Sequence, residues 1–278
     1  MRVIQPNRYS RKKMNRHSRQ LWLIFAIFLT CLALIGVYFY KASNNYLIPA
    51  SKIKEPVVNT PVARELRIFS DEELKDLYNN FHYANTDKIL QSPSITGDTT
   101  ADAKIRLLAE ARGYRLRRLA RNLEATADGL PLQLLAEKSW NNLKAEAAKE
   151  GVVLTVTSAF RAVEDQRAVF LEGLAIQGVS AQSIASGQVD SLVDKVLQTY
   201  APPGYSRHHT GFTIDLTCGT AGLTNFATTT CHEWLSSDNY LHAKTFGWVP
   251  SYPEGASLQG PEPEPWEYIW VTVDALLE

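Results

Sequence analysis

The chain has 278 residues, 45% of them hydrophobic, with 29 basic and 29 acidic residues. This length suits one large domain or two small ones, and the composition is that of a folded protein with a sizeable core, which excludes a disordered chain. The formal net charge of zero is unevenly distributed, because the first 20 residues include seven basic residues and no acidic residue.

The basic tail precedes a segment with the length and hydropathy of a membrane span. Residues 21–40 read LWLIFAIFLTCLALIGVYFY and include no charged residue. As a helix they would cover about 30 Å, the thickness of a bilayer core. Cleaved signal peptides have shorter apolar regions, of about 7–15 residues, and a small-residue cleavage site. An uncleaved transmembrane anchor is therefore favoured.

The charge of the tail indicates how this anchor is oriented. Basic residues beside a span stay in the cytoplasm, which explains residues 1–20 without a nucleic-acid-binding role. Residues 41–65 contain three prolines and show neither helical nor strand periodicity, which is typical of a linker. We expect a single-pass protein of the inner (cytoplasmic) membrane, with an exported domain over residues 66–278 in the periplasm or outside the cell.

Helical signals alternate with short strand signals along the exported part. Ser70 and Glu73 form a capping-box pattern that predicts a helix start. Predicted helices cover residues 70–81, 101–127, 132–150, 164–177, a segment ending near 200, and 234–246. In the second of these, five aliphatic residues fall on one helical face and are expected to point inward: Ile105, Leu108, Leu116, Leu119 and Leu123.

Strands are predicted where β-branched or aromatic residues follow turn signals. The segments are 152–157, 213–216, 248–253 and 266–273. The first ends at residues 158–161, a position from which side chains commonly reach a cleft. No internal repeat, phosphate-binding glycine loop or low-complexity tract interrupts this pattern.

Two of the three cysteines lie close together in the exported part. Cys31 falls inside the predicted span, whereas Cys218 and Cys231 follow the strand predicted at 213–216. An oxidising compartment permits a disulfide between them, worth about 3 kcal/mol in the chain-entropy model. The alternative is two separate buried thiols.

The segment 206–215 reads S-x-H-x-x-G-x-x-x-D and places His208 and Asp215 like two ligands of one metal ion. A neutral imidazole and a carboxylate suit Zn²⁺, which activates water for hydrolysis. Asp215 would lie on a strand, with His208 on the loop that leads into it. A third ligand and a general base are needed to complete such a site.

Four motifs in sequence resemble the VanY-type D-alanyl-D-alanine carboxypeptidases. They are S-A-F-R at 158–161 with Gln166, the motif at 206–215, F-G-W at 246–248 with S-Y-P-E-G at 251–255, and E-P-W at 264–266. The resemblance covers residues 100–275. It implies a zinc peptidase of cell-wall peptidoglycan with a compact α+β fold, in which helices pack on a small antiparallel sheet.

The resemblance also implies roles for individual residues. His208 and Asp215 would be zinc ligands, Glu264 the general base that activates water, and Arg161 the residue that holds the terminal carboxylate of the substrate. The chemistry agrees, because a carboxylate can accept a proton and a guanidinium can pair with a carboxylate through two hydrogen bonds. Further candidates for substrate-binding or supporting hydrogen bonds are Ser158, Gln166 and Ser206.

The chain departs from the family pattern at the third ligand. The usual ending is E-x-W-H, whereas this sequence has Glu264-Pro265-Trp266-Glu267. If the register through Trp266 holds, Glu267 occupies the ligand position and makes the site richer in oxygen, for Zn²⁺ or a harder divalent ion. Aligning on Glu262 instead would place Pro265 there, which has no ligating side chain.

Two other interpretations of this departure stay open. A nitrogen ligand could come from His209, His232 or His242, although His209 adjoins His208 and neighbours on an extended segment point to opposite faces. Alternatively, the site has lost its metal and the domain binds peptidoglycan peptides without cleaving them. The function we expect is a metallo-carboxypeptidase that trims the terminal D-alanine from stem peptides, with D,D or L,D specificity, and the alternative is an inactive peptidoglycan-binding or scaffold protein.

Overall fold

The structure, a computed structural model, describes residues 65–278. Its strands are β1 (Thr86–Asp87), β2 (Leu119–Ala120), β3 (Ala125–Ala127), β4 (Leu130–Leu132), β5 (Leu154–Ser158), β6 (Thr213–Cys218), β7 (Trp248–Pro250) and β8 (Glu267–Trp270). Its α-helices are α1 (Asp71–Asn80), α2 (Thr99–Ala111), α3 (Leu134–Lys149), α4 (Val163–Ile176), α5 (Ala181–Ser186), α6 (Asp190–Leu197) and α7 (Thr230–Thr245). Short 3₁₀ segments are Arg207–Thr210, Leu223–Thr228 and Asp274–Leu276.

Four strands form the central sheet in the order β5-β6-β8-β7, and each neighbouring pair is antiparallel. Two smaller antiparallel pairs, β1 with β2 and β3 with β4, lie outside it. Helices packed with small antiparallel sheets confirm the α+β fold expected from the family resemblance. The β6 to β8 pairing positions the candidate site.

Helix α3 shows how the sequence buries one face against the sheet. Ala136, Trp140, Leu143 and Ala147 recur at helical spacing and are all fully buried. They share a core with sheet residues such as Ile214. A second core lies among α2, α4 and α6, where Ile105, Phe170 and Val193 are fully buried. Residues of α4, β6 and β8 also line the cleft of the candidate site, namely Gln166, Val169, Asp215 and Glu267.

The helix predicted over residues 101–127 is wrong beyond Ala111. The chain leaves the helix because Gly113 has φ of +92°, and a Cβ there would lie 1.9 Å from the carbonyl oxygen of Leu258. The helical face predicted for the aliphatic residues therefore ends early. Ile105 is buried as expected, whereas Leu116 is 40% exposed.

Helix α7 is interrupted inside the range where sequence predicts a continuous helix. The backbone is non-helical over Ser237, Asp238, Asn239 and Tyr240, the last three with left-handed angles. The Asn239 side chain accepts from the backbone N–H of Phe69 at 2.9 Å and donates to its carbonyl oxygen at 2.7 Å. These contacts from a distant segment stabilise a conformation that local propensity disfavours.

The cysteine pair predicted from sequence is joined. Cys218, at the end of β6, forms a disulfide with Cys231 in the first turn of α7. The alternative of two separate thiols is therefore wrong. The cross-link ties the sheet strand that carries Asp215 to the helix that follows it.

The predicted basic tail (1–20), transmembrane anchor (21–40) and linker (41–65, apart from its last residue) lie outside the described residues. Over the described range 65–278, none of the helices combines the length and hydropathy needed to cross a bilayer.

A buried carboxylate fixes the loop before α2. Asp102 is 4% exposed and accepts hydrogen bonds from the backbone N–H groups of Ile95 (2.9 Å) and Thr96 (2.7 Å) and from the hydroxyls of Thr96 (2.7 Å) and Ser94 (3.2 Å). Burial alone would raise the pKa of Asp102, but these hydrogen bonds outweigh it and hold the pKa below its usual value. The ionised carboxylate therefore stabilises the fold.

Asp102→Ala is expected to cost about 3 kcal/mol, because several buried donors lose a charged acceptor. For a domain of this size that lowers Tm by about 10 °C. Since the folded pKa lies below the unfolded one, the stabilisation is present above about pH 3.9 and disappears as the pH falls through the folded pKa. Thermal melts at several pH values measure this, with Asp76→Ala, on the exposed face of α1, as the control. A Tm shift no larger than that of the control contradicts the prediction.

Candidate functional site

The pairing of β6 with β8 brings two acidic side chains together. Asp215 lies directly opposite Glu267 in the antiparallel register. Residues at opposed positions project from the same face of a sheet, with Cβ atoms about 5 Å apart. Both side chains are buried, at 6% and 4% exposure. Two buried carboxylates side by side repel each other unless a positive group lies between them.

His208 supplies the group that faces both carboxylates. It lies in the 3₁₀ turn before β6, and its Nδ1 donates to the carbonyl oxygen of Ala159 at 2.5 Å. Its Nε2 lies 3.4 Å from Asp215 Oδ1 and 3.3 Å from Glu267 Oε2. Because Nδ1 carries the hydrogen bond to the backbone, Nε2 is the atom directed at the acidic pair.

The pKa values of His208 and Glu267 follow from this geometry. Burial alone would lower the pKa of His208, but the neighbouring Asp215 and Glu267 carboxylates raise it to about 10. Burial alone would raise the pKa of Glu267, but the hydrogen bond with His208 and the positive charge of Arg207 lower it. With no cation bound, a protonated imidazole would therefore lie between the two carboxylates and stabilise them.

The same three residues could hold a metal ion. One ligand atom from each of His208, Asp215 and Glu267 lies within 4.8 Å of the others. Asp215 Oδ1 is buried and has no hydrogen-bond partner. One imidazole nitrogen and two carboxylate oxygens suit Zn²⁺ and also harder divalent ions. The residues present thus fit a divalent cation, and deprotonated His208 would provide its nitrogen ligand.

Arg161 lies beyond the end of β5 in a hydrogen-bonded frame. Its Nη1 donates to Gln166 Oε1 at 3.0 Å, and its Nη2 donates to Ser158 Oγ at 3.1 Å. Gln166 in turn donates from Nε2 to the carbonyl oxygen of Ala201 at 2.7 Å. Ser158 and Gln166, which sequence suggests as hydrogen-bonding residues, therefore fix the orientation of the guanidinium.

A cleft of about 310 Å³ joins these groups. It is lined by the guanidinium-bearing Arg161, by the acidic residues Glu264 and Asp215, and by His208; Ser206 forms part of its wall. Glu264 is partly buried, in a turn immediately before β8. Burial and the neighbouring carboxylates of Glu267 and Asp215 raise the pKa of Glu264 to about 8. A cation held by the acidic pair would offset this repulsion and favour the ionised form of Glu264, which can accept a proton.

The other histidines considered as metal ligands lie elsewhere. His209 is fully buried, with Nδ1 donating to the carbonyl oxygen of Arg161 at 2.7 Å and Nε2 accepting from the backbone N–H of Gly204 at 3.0 Å. His232 packs against Phe226, and His242 stacks on Trp234. Within residues 65–278, the group able to hold a metal is His208, Asp215 and Glu267.

The sequence did not predict the contacts made by two residues of the motif at 206–215, His209 and Arg207. His209 connects the segment before α4 to the turn before β6, which also share a hydrogen bond from the Arg161 N–H to the carbonyl oxygen of His208 at 3.3 Å. Arg207 is 5% exposed and lies 3.7 Å from Glu267 Oε1. The position of both residues inside the motif at 206–215 was the available signal, but a pattern of residues does not show what they contact.

The family model for VanY, described as D-alanyl-D-alanine carboxypeptidase, matches residues 130–273. The chain belongs to the VanY family. The match includes all the residues proposed for the site, from Ser158 to Glu267. No curated protein sequence matches the chain.

Solved structures of related proteins resemble the chain at low identity. A mutant of the vancomycin resistance D,D-pentapeptidase VanY from the VanB-type cassette, in complex with Zn(II), is 22% identical, with a TM-score of 0.42 over 55% of this chain and 80% of that one. VanYB in complex with D-alanine-D-alanine is 23% identical, with a TM-score of 0.43 over 56% and 80%. The LdcB LD-carboxypeptidase is 17% identical, with a TM-score of 0.44 over 77% and 86%.

Proposed function

We propose that this VanY-family chain is a metal-dependent carboxypeptidase that removes the terminal D-alanine from peptidoglycan stem peptides. The observation that carries the proposal is the buried cluster of His208, Asp215 and Glu267, which opens onto the same cleft as Glu264 and Arg161. Such a cleft combines a cation site, a proton acceptor and an anion-binding group. Those are the parts that hydrolysis of a carboxy-terminal peptide bond requires.

The residues of the chain divide the work of this reaction. Arg161, oriented by Ser158 and Gln166, pairs with the terminal carboxylate and so places the last peptide bond at the cluster. Glu264 accepts a proton from the attacking water molecule as the oxygen of that water bonds to the carbonyl carbon. It then returns the proton to the departing amine as the carbon–nitrogen bond breaks, which releases the amino acid.

His208, Asp215 and Glu267 would hold the ion. A divalent ion there would supply Lewis acidity, which polarises a carbonyl oxygen and acidifies water. The hydrogen bond from His208 Nδ1 to the carbonyl oxygen of Ala159 keeps Nε2 directed at the cluster. Burial of all three side chains excludes bulk water and strengthens their interaction with a cation.

Removal of metal tests the proposal directly. The full-length chain, supplied with zinc, is expected to contain about one divalent ion and to release D-alanine from a peptide that ends in D-Ala-D-Ala. A chelator should reduce release to the background rate, and added Zn²⁺ should restore it. Release that is unaffected by the chelator contradicts the metal-dependent mechanism, whereas peptide binding without release indicates a binding protein.

Substrate stereochemistry is resolved by a second pair of peptides. L,D activity is measured by the same assay with a peptide in which an L-amino acid precedes the terminal D-alanine. The ratio of kcat/KM for the two peptides assigns the specificity.

We also propose that the domain works outside the cytoplasm, attached by residues 21–40. The disulfide between Cys218 and Cys231 supports this location, because such bonds persist in oxidising compartments. A reporter that is active only after export, fused to the carboxyl end of the chain, tests this location. Activity of a reporter that works only in the cytoplasm would contradict the orientation.

A further inference from the structure

Arg207 is a buried cation beside the acidic ligand that distinguishes this site. Its side chain is 5% exposed, and its Nη1 lies 3.7 Å from Glu267 Oε1. Its Nη2 donates to the carbonyl oxygen of Gln259 at 2.9 Å and to the hydroxyl of Tyr78 at 3.2 Å. One end of the guanidinium is thus fixed by neutral acceptors, and the other faces the carboxylate.

Two aromatic rings hold this guanidinium in place. Its central carbon lies 4.1 Å from the ring centroid of Tyr252 and 5.3 Å from that of Tyr78. Arginine stacks well on aromatic faces, and its rigid planar group loses little freedom when fixed in this way. The position of the positive charge is therefore well defined relative to β8.

Burial makes Arg207 and Glu267 dependent on each other. A guanidinium and a carboxylate removed from water are each costly unless an opposite charge compensates them. Within residues 65–278, Glu267 is the carboxylate that lies in ion-pair range of Arg207. Removing Glu267 alone leaves Arg207 without a carboxylate partner among the described residues, whereas removing Arg207 alone leaves His208 to balance both Glu267 and Asp215.

The two oxygens of Glu267 face different partners. Oε2 lies 3.3 Å from His208 Nε2, on the side of the candidate metal cluster, whereas Oε1 lies on the side of Arg207. Attraction between Arg207 and Oε1 restrains the carboxylate with Oε2 directed at the cluster. This is how a supporting residue orients a ligand.

The positive charge of Arg207 also balances the extra negative charge that glutamate brings to position 267. A neutral imidazole at this position would leave Asp215 as the one anionic ligand, whereas Glu267 adds a second anion. The positive charge of Arg207 offsets that addition. His208, Asp215, Glu267 and Arg207 together then carry the same formal charge as a site with two neutral histidines, one aspartate and no arginine.

We propose that Arg207 is a positioning residue that holds Glu267 as an ionised metal ligand and offsets its negative charge. The proposal rests on the metal site of the proposed function. It assigns Arg207 a role through Glu267 and no contact with the substrate.

The test compares Arg207→Met with Arg207→Lys in the native and Glu267→His backgrounds. Zn²⁺ affinity of the full-length chain is measured by competition with a chromophoric chelator. In the native background, Arg207→Met is expected to weaken Zn²⁺ binding about 10–100-fold, as loss of a ligand-orienting partner does. Arg207→Lys, which retains the charge but not the planar fork, should lose less. With histidine at 267, Arg207→Met should change the affinity about twofold or less, because the coupled partner is gone.

Several results would overturn the proposal. Unchanged affinity in the native background removes the positioning role, and increased affinity shows that Arg207 acts only as a charge opposing the metal. Equal losses in both backgrounds show a general packing effect. If the native chain itself binds no Zn²⁺, the proposed function fails together with the ligand-holding role, which distinguishes that result from failure of Arg207 alone.

Thermal melting of the metal-free chain tests the ion pair independently. Arg207→Met is expected to lower Tm by about 10 °C, because it removes one of the two positive partners of the buried Glu267 carboxylate and leaves His208 to balance both acidic residues. The double variant Arg207→Met with Glu267→Gln removes both charges and should recover most of that loss. A double variant no more stable than Arg207→Met would show that the two side chains are not coupled.

Discussion

A Glu264→Gln variant is expected to lose about 1,000-fold in kcat for D-alanine release, within the range found when a general base is removed. Glutamine has nearly the same shape as glutamate but cannot accept a proton from water. Glu264 lines the cleft beside the acidic pair but is not one of the three residues clustered within ligand distance of each other. The variant should therefore retain Zn²⁺ while losing turnover.

The control for this variant lies two residues away. Glu262 lies in the segment before the same turn, its side chain is 68% exposed, and it lies 3.6 Å from Arg112. A Glu262→Gln variant should keep nearly native kcat, since an exposed ion pair contributes little to stability. Steady-state assays at saturating peptide, with metal content measured on the same samples, separate loss of the base from loss of the ion. Equal turnover by native and Glu264→Gln protein would remove Glu264 from the mechanism.

The sequence was most informative where the chemistry lies on short, regular elements. The strand character of residues 213–216 predicted Asp215 on a strand and His208 on the preceding loop, and the structure places them in β6 and in a 3₁₀ turn. The strand predicted at 152–157 likewise ends beside Arg161. Such elements can be predicted from sequence because alternating or consecutive apolar residues indicate a strand. The polar residues that follow the strand then lie at the edge of the sheet.

The position of Glu267 required a choice of register from sequence alone. Alignment through Trp266 predicted that Glu267 stands where the family has histidine, and β8 pairs Glu267 with Asp215. Pairing in a sheet explains why the register matters. A shift by one residue would direct the side chain to the other face.

Contacts between distant segments could not be predicted in this way. The end of α2 depends on the close approach of Gly113 to Leu258, and the interruption of α7 depends on Asn239 bonding to Phe69. The pairing of Arg207 with Glu267 likewise joins two positions sixty residues apart in the chain. Helical propensity and periodicity describe neighbours in sequence, whereas these features arise from tertiary packing.

Arg161→Met is expected to lower kcat/KM by about 100-fold or more, because a charged, two-point partner for the substrate carboxylate is lost. Ser158 and Gln166 fix the guanidinium through hydrogen bonds of 3.1 and 3.0 Å, so the group is oriented before substrate binds. Arg161→Lys keeps the charge but cannot reproduce the planar fork. It should fall between the native and Met proteins.

A change in the substrate provides the matched control. A peptide whose terminal carboxylate is replaced by a carboxamide removes the group that Arg161 is proposed to bind. The native protein should therefore process the amide about 100-fold less efficiently, whereas Arg161→Met should discriminate little between acid and amide. Measurement of kcat/KM for both peptides with both proteins gives the coupling. If Arg161→Met still prefers the free carboxylate as strongly as the native protein does, another group binds the substrate terminus, and the frame of Ser158, Arg161 and Gln166 serves only to shape the wall of the cleft.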